Sequence, residues 1–345
     1  MSHRRPSILG CLIVLALVAG GCAGGGPAGE DAAPATGDLR VVATTSILGD
    51  IVSDLVGDAG EVEVLMGSGV DPHAFSPSAA QAAAVRDADL VIANGLDLEE
   101  SLLDLLDAAA QDGATVLEVA PALDPLAFDL AIDDAEDGHA GEDGHATEDE
   151  DATEDAHAGE DADDHAEGPD PHVWFDPVRM ADGVALIAAA LAEVDDQLPD
   201  EEWEGRGADA AARLIALDEE LRETFATIPP ERRVLVTNHA AIGYLAERYD
   251  LEIVGTVIPG GGTLASAGAG RLAELADLIR DTGVPAIFAE NTTDDRLAQA
   301  LAREVGRDVA VVELYTDALG EAGSGAETYE GLLRTDAQLI VDALG

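Results

Sequence analysis

Two runs of alternating strand and helix signals flank one long helical stretch, and this pattern constrains the fold more than any other feature of the chain. In the first run, residues 40–45, 62–66, 89–93 and 114–119 are short, largely aliphatic segments that read as strands. Residues 47–56, 77–86 and 98–110 lie between them and read as helices. The pattern resumes with strands at 233–237, 252–257, 286–290 and 309–313. Its helices fall at 240–249, 271–281, 294–305 and 327–344. Such alternation predicts parallel sheets. In the stretch between the runs, Leu214, Leu217, Leu221, Phe225 and Ile228 recur at helical spacing as one apolar stripe, stopped by Pro229 and Pro230. The expected fold is α/β, with two similar four-stranded parallel-sheet lobes joined by a long helix. The lobes take residues 39–199 and 229–345, and the helix 200–228. A cleft between two such lobes, lined by strand ends, is a common ligand site.

Two segments lie outside that pattern. At the start, Arg4 and Arg5 precede an apolar run over residues 8–18, too short to span a bilayer, and small residues then lead to Cys22. Residues 1–21 read as a signal peptide, and the small-residue stretch resembles the lipobox of bacterial lipoproteins. Ala19 replaces the more usual Leu three places before the cysteine. Cys22 is then the lipidated first residue of the mature chain, and residues 22–38 form a flexible tether. A secreted protein with a stray cysteine is the competing reading. The other cysteine, Cys11, sits in the signal, so the mature chain has no internal disulfide.

The second segment, residues 133–170, holds 18 carboxylates, no basic residue and four histidines, His139, His145, His157 and His165. It has almost nothing apolar beyond alanine and is expected to be disordered. Its histidines could gather metal weakly, or the tract could only solvate the surface. The whole chain is acidic, with 71 Asp and Glu against 17 basic residues, for a formal charge of −54. That balance excludes a nucleic-acid partner and electrostatic docking on anionic lipid, and it favours cations.

The remaining histidines sit at informative places. His73 lies in GVDPHAFSPS and His172 in PDPHVWFDP, so Asp-Pro-His occurs twice. Ser76-Pro77 and Asp176-Pro177 each read as an N-cap followed by proline at the first helical position. His239 follows the strand at 233–237, and Asp317 follows the strand at 309–313. If the lobes face each other, these four side chains meet. Three imidazoles and one carboxylate suit Zn²⁺. Taken singly, each histidine is an ordinary loop side chain, and Asp317 is a helix N-cap.

The segments GVDPHAFSPS, DPHVWFDP, TNHAAIGYLAERY and ELYTDALG resemble, in order and spacing, the four ligand-bearing segments of the cluster A-I substrate-binding proteins. These are the ZnuA/TroA-like zinc and manganese receptors of ABC importers. The resemblance covers residues 39–345 and includes the acidic His-rich insert. It implies two lobes on a long backbone helix, with the metal between them on His73, His172, His239 and Asp317. It implies a lipid-anchored, extracytoplasmic monomer that hands Zn²⁺ to an ABC permease with its ATPase, and no enzymatic activity. A manganese receptor is the alternative, although manganese receptors tend to carry Glu at the third position, and imidazole favours zinc. A zinc hydrolase is a more distant alternative, since a catalytic zinc keeps a position open for water. The chain departs from many relatives in reading His239-Ala240-Ala241 where they have His-Asp-Ala, so orientation of His239 is expected to rest on backbone partners. It also lacks the cysteine pair that some zinc-binding relatives carry in the second lobe. The Gly-rich stretch 259–270 reads as a mobile rim loop, Glu290 as a strand-end acid that could line the cleft but is better read as capping or structural, and Trp174 as core packing.

Overall fold

The structure, a computed structural model, describes residues 39–128, 168–265 and 267–345. Strands β1 (Leu39–Ala43), β2 (Gly60–Val64), β3 (Leu90–Ala93) and β4 (Thr115–Glu118) form one sheet in the order β2-β1-β3-β4. Strands β5 (Val234–Thr237), β6 (Glu252–Thr256), β7 (Ala286–Glu290) and β8 (Ala310–Leu314) form a second in the order β6-β5-β7-β8. All pairings are parallel, and the two orders are the same permutation. The α/β class and its two four-stranded lobes are therefore as expected. Each chain path reverses beside its central strand, β1 or β5, which opens a crevice at the carboxyl ends of the strands.

Helices α1 (Ser46–Val56), α2 (Ala79–Asp87) and α3 (Leu103–Asp112) serve the first lobe. Helices α6 (Gly243–Tyr249), α7 (Ala269–Thr282), α8 (Arg296–Val305) and α9 (Tyr329–Leu344) serve the second. Between them run α4 (Pro177–Val194) and α5 (Asp200–Phe225). With 26 residues, α5 is about 39 Å long at 1.5 Å per residue. Its stripe of Leu214, Leu217, Leu221 and Phe225 is buried. The α4–α5 crossing is close: a Cβ at Gly207 would lie 2.7 Å from the Ala188 methyl. One apolar core runs from Ile47 and Val52, through Trp174 and Leu217, to Leu245 and Leu333, and so spans both lobes.

Several helix starts differ from expectation; α3 begins at Leu103, not residue 98, after a short 3-10 turn over Glu100–Leu102. α2 begins at Ala79, two residues beyond Pro77, because Ser78 and Gln81 form a capping box. The Gln81 amide donates to Ser78 Oγ at 3.3 Å, and the Ser78 amide donates to Gln81 Oε1 at 2.9 Å. α6 begins at Gly243, not Ala240, because the backbone before it is held elsewhere. The His239 amide donates to Glu290 Oε1 at 3.1 Å and the Ala240 amide to the Gly260 carbonyl at 3.4 Å. Asp176 caps α4 as read from the sequence, accepting from the Val178 and Arg179 amides ahead of Pro177.

The signal, the tether, Cys22 and the four histidines of the acidic insert lie outside the described residues. The last residues of that insert do not, and one expectation there is corrected. Asp170 is buried and ordered by its neighbours: its amide donates to the Leu126 carbonyl at 2.7 Å, and Ala127 bridges Pro169. Among the described residues, no helix is long and apolar enough to cross a membrane.

Candidate metal centre

The two Asp-Pro-His segments make the same local turn. Asp71 Oδ1 accepts from the His73 amide, and Asp170 Oδ1 accepts from the His172 amide, each at 2.9 Å. An aspartate that bonds the amide two residues on builds such a turn without help from a helix or sheet. The proline between them restricts the preceding aspartate to extended backbone. Each turn thus presents its histidine rigidly, His73 after β2 and His172 just before α4.

His239 stands two residues beyond β5, and Asp317 three beyond β8. The fold brings all four side chains to one point. Each offers one donor atom, and the four atoms lie within 4.8 Å of one another. His172 Nε2 and His239 Nε2 are 3.2 Å apart. Asp317 Oδ1 is 3.8 Å from the first, and its Oδ2 is 3.9 Å from the second. A tetrahedron with metal–nitrogen bonds of about 2.0–2.1 Å has edges of roughly 3.3 Å, so the short edge already fits and the longer ones must contract. His172, His239 and Asp317 are at most 1% exposed. His73 Nε2 and Asp317 Oδ1 are buried without any hydrogen-bond partner, which is costly unless something fills the gap.

In His172 and His239 the ring nitrogen that faces away from this point is held by a carboxylate. His172 Nδ1 is 2.7 Å from Asp170 Oδ1, and His239 Nδ1 is 2.5 Å from Glu290 Oε1. Such partners fix the tautomer and turn Nε2 toward the centre. The expectation that His239 is oriented by backbone partners is corrected here, as is the capping role for Glu290. Glu290 is the last residue of β7, 2% exposed, and β7 pairs with β5. The adjacent strand ends place its carboxylate against His239. Its position at the end of an otherwise apolar, buried strand was the available signal, since a charge there needs a partner. Trp174 is buried as expected, and it also joins the lobes. Its indole lies 5.2 Å from the His172 ring, and Nε1 donates to the Thr316 carbonyl at 2.8 Å.

Burial, followed by the neighbouring imidazoles, pushes His73 down to about 3. The same causes hold His172 well below the usual histidine range. Burial also acts on His239, but Glu290 and Asp317 outweigh it and raise that imidazole to about 9. Burial raises Asp317 and Asp170, each to about 7. His73 therefore offers a free lone pair, His172 Nε2 faces His239 Nε2, and a cation entering the centre must displace a proton from His239.

The rim loop packs over this centre. A Cβ at Gly261 would fall 2.0 Å from the Phe128 ring, and one at Gly262 would sit 3.8 Å from His73 Nδ1.

The chain is similar to known metal-binding proteins along most of its length. The family described as zinc-uptake complex component A, periplasmic (ZnuA) matches residues 41–343. The high-affinity zinc uptake system protein ZnuA of Paracoccus denitrificans is 37% identical over 327 residues, covering 92% of this chain and 95% of its own. The zinc-binding protein TroA of Treponema pallidum is 30% identical over 346 residues, covering 99% of each. The manganese-binding lipoprotein MntA of Halalkalibacterium halodurans is 28% identical, covering 96% of each. The solved structure of periplasmic zinc-binding TroA superposes with a TM-score of 0.73 at 29% identity, covering 90% of this chain and all of that one. Repeated lobes, a shared cleft and a sequence match across nearly the whole described chain lead to one conclusion: this chain belongs to the ZnuA family of metal-binding receptors, which are substrate-binding proteins and not enzymes.

Proposed function

We propose that the protein is an extracytoplasmic receptor that binds one Zn²⁺ through His73, His172, His239 and Asp317 and delivers it to an ABC importer. The observation that carries this reading is the convergence of four donor atoms from four separate turns, two of them buried and unpartnered. Three imidazoles favour zinc, and Mn²⁺ lies low in the Irving–Williams order. Manganese is the second reading, because relatives are named for both metals. A set of four protein ligands leaves no open position, as suits capture and not hydrolysis. The importer partner is a permease with its ATPase. Lipidation at Cys22 would keep the receptor at the membrane, and His139, His145, His157 and His165 would add weak sites that feed the cleft.

The test is metal analysis of protein purified without added metal, followed by titration with Zn²⁺ and Mn²⁺ against a chromogenic chelator. One tight zinc equivalent, lost in His239→Ala, supports the site. Tight binding retained in His239→Ala overturns the site, and a preference for Mn²⁺ over Zn²⁺ overturns zinc in favour of the second reading. Deleting residues 133–168 should remove only weak zinc equivalents.

A further inference from the structure

The twin Asp-Pro-His turns differ in one respect. In the second, Asp170 holds both the amide and the ring of its histidine. In the first, Asp71 Oδ1 takes the His73 amide, but no carboxylate among the described residues takes the His73 ring. The free oxygen of Asp71 is used differently. Thr263 Oγ1, on the rim loop of the opposite lobe, donates to Asp71 Oδ2 at 2.6 Å. His73 is also the one member of the four-residue cluster that is not fully buried. The same loop approaches so closely at Gly261 and Gly262 that side chains there would meet Phe128 and His73.

We propose that Thr263 is a positioning residue for His73, acting through Asp71, and that this contact across the cleft sets how fast a bound ion leaves. The second lobe thereby holds the histidine turn of the first. When the hydroxyl lets go, Asp71 loses its own bond to the far wall, the loop stays joined there through the Gly69 amide and the Leu319 carbonyl at 3.2 Å, and His73 can swing from the centre. The three other donors lie in fully buried surroundings and have no such freedom. Exit then begins at His73.

This inference rests on the receptor reading, and the two can fail separately. The parent's one-to-one zinc titration tests the receptor. The Thr263 variants, read as ratios to the parent, test the contact. Thr263→Val keeps the shape and removes the hydroxyl. Stopped-flow release into excess chelator should be roughly tenfold faster in Thr263→Val, the order expected for losing one hydrogen bond to a charged group. Association should stay near the parental rate. Thr263→Ser should restore slow release, which a loss of methyl packing alone would not do. A metal-free readout follows the same contact: the backbone amide of His73 should exchange with deuterium faster in Thr263→Val, with the thermal midpoint unchanged. Parental release and exchange rates in Thr263→Val overturn the proposal, and so does a Thr263→Ser variant that behaves like Thr263→Val.

Discussion

At the scale of single residues, Glu290 shows how a buried charge acquires a purpose. It ends a strand whose other four residues are apolar and buried, so its carboxylate must find a partner or be neutralised. It finds His239, and also accepts from Asn238 Nδ2 at 3.0 Å. Burial alone would raise this carboxyl, but His239 outweighs burial and holds it below its usual range. Glu290→Gln keeps the shape and removes the charge that steadies the imidazole. Zinc affinity should fall roughly 10–100-fold, the usual cost of losing a carboxylate behind a histidine ligand. Chelator competition reads this directly; an unchanged affinity would show that His239 needs no such support. The same reasoning explains why His239-Ala240-Ala241 is sufficient. The acid that the sequence lacks beside His239 is supplied 51 residues later, from the neighbouring strand.

At the scale of elements, helix α9 carries a second buried acid with a different outcome. Asp336 is fully buried, its Oδ1 accepts from the Tyr315 amide at 3.0 Å, and its Oδ2 has no partner. Burial pushes its carboxyl well above the usual range, and the single amide bond offsets only part of that. The sign of the pH effect follows. Above the unfolded value of 3.8, the unfolded chain has released this proton while the folded protein keeps it. Stability therefore falls as pH rises, until the raised folded value is passed. Asp336→Asn has no proton to lose and keeps the oxygen that Tyr315 needs. Its urea midpoint should fall less than the parent's between pH 5 and pH 8. Equal falls in the two proteins would show that Asp336 is not the source. Helix ends follow local chemistry in the same way. The capping box of Ser78 and Gln81 outcompetes the Ser76-Pro77 pair, because it satisfies two backbone amides reciprocally.

At the scale of the whole molecule, the lobes are held together by more than the long helix. Tyr329 Oη donates to the Trp174 carbonyl at 2.6 Å, Tyr244 Oη donates to the Asp170 carbonyl at 2.7 Å, and the Leu319 amide donates to Ser46 Oγ at 2.9 Å. These bonds join residues of the first lobe to residues of the second, around a core common to both. The protein should therefore unfold as one cooperative unit despite its two-lobe plan. Urea transitions followed by far-ultraviolet circular dichroism and by tryptophan fluorescence should coincide. Fluorescence reports on Trp174 at the lobe junction and on Trp203, buried on α5. Separate transitions would mean that the lobes fold independently.

Local chemistry in the sequence was enough to determine the strand–helix alternation, the paired Asp-Pro-His turns and the placement of His73, His172, His239 and Asp317 near element ends. Each of these depends on neighbours a few residues away: an apolar period, a proline, a cap. The tertiary structure alone decided what stands behind and around those side chains. Glu290 meets His239 because two strands pair in parallel, and Asp170 is buried beside the bridge that Pro169 makes to Ala127. Thr263 reaches Asp71 across 192 residues because the lobes face each other. A carboxylate's partner is set by distance in space, and distance in space is absent from the sequence until the sheets are ordered and the lobes packed.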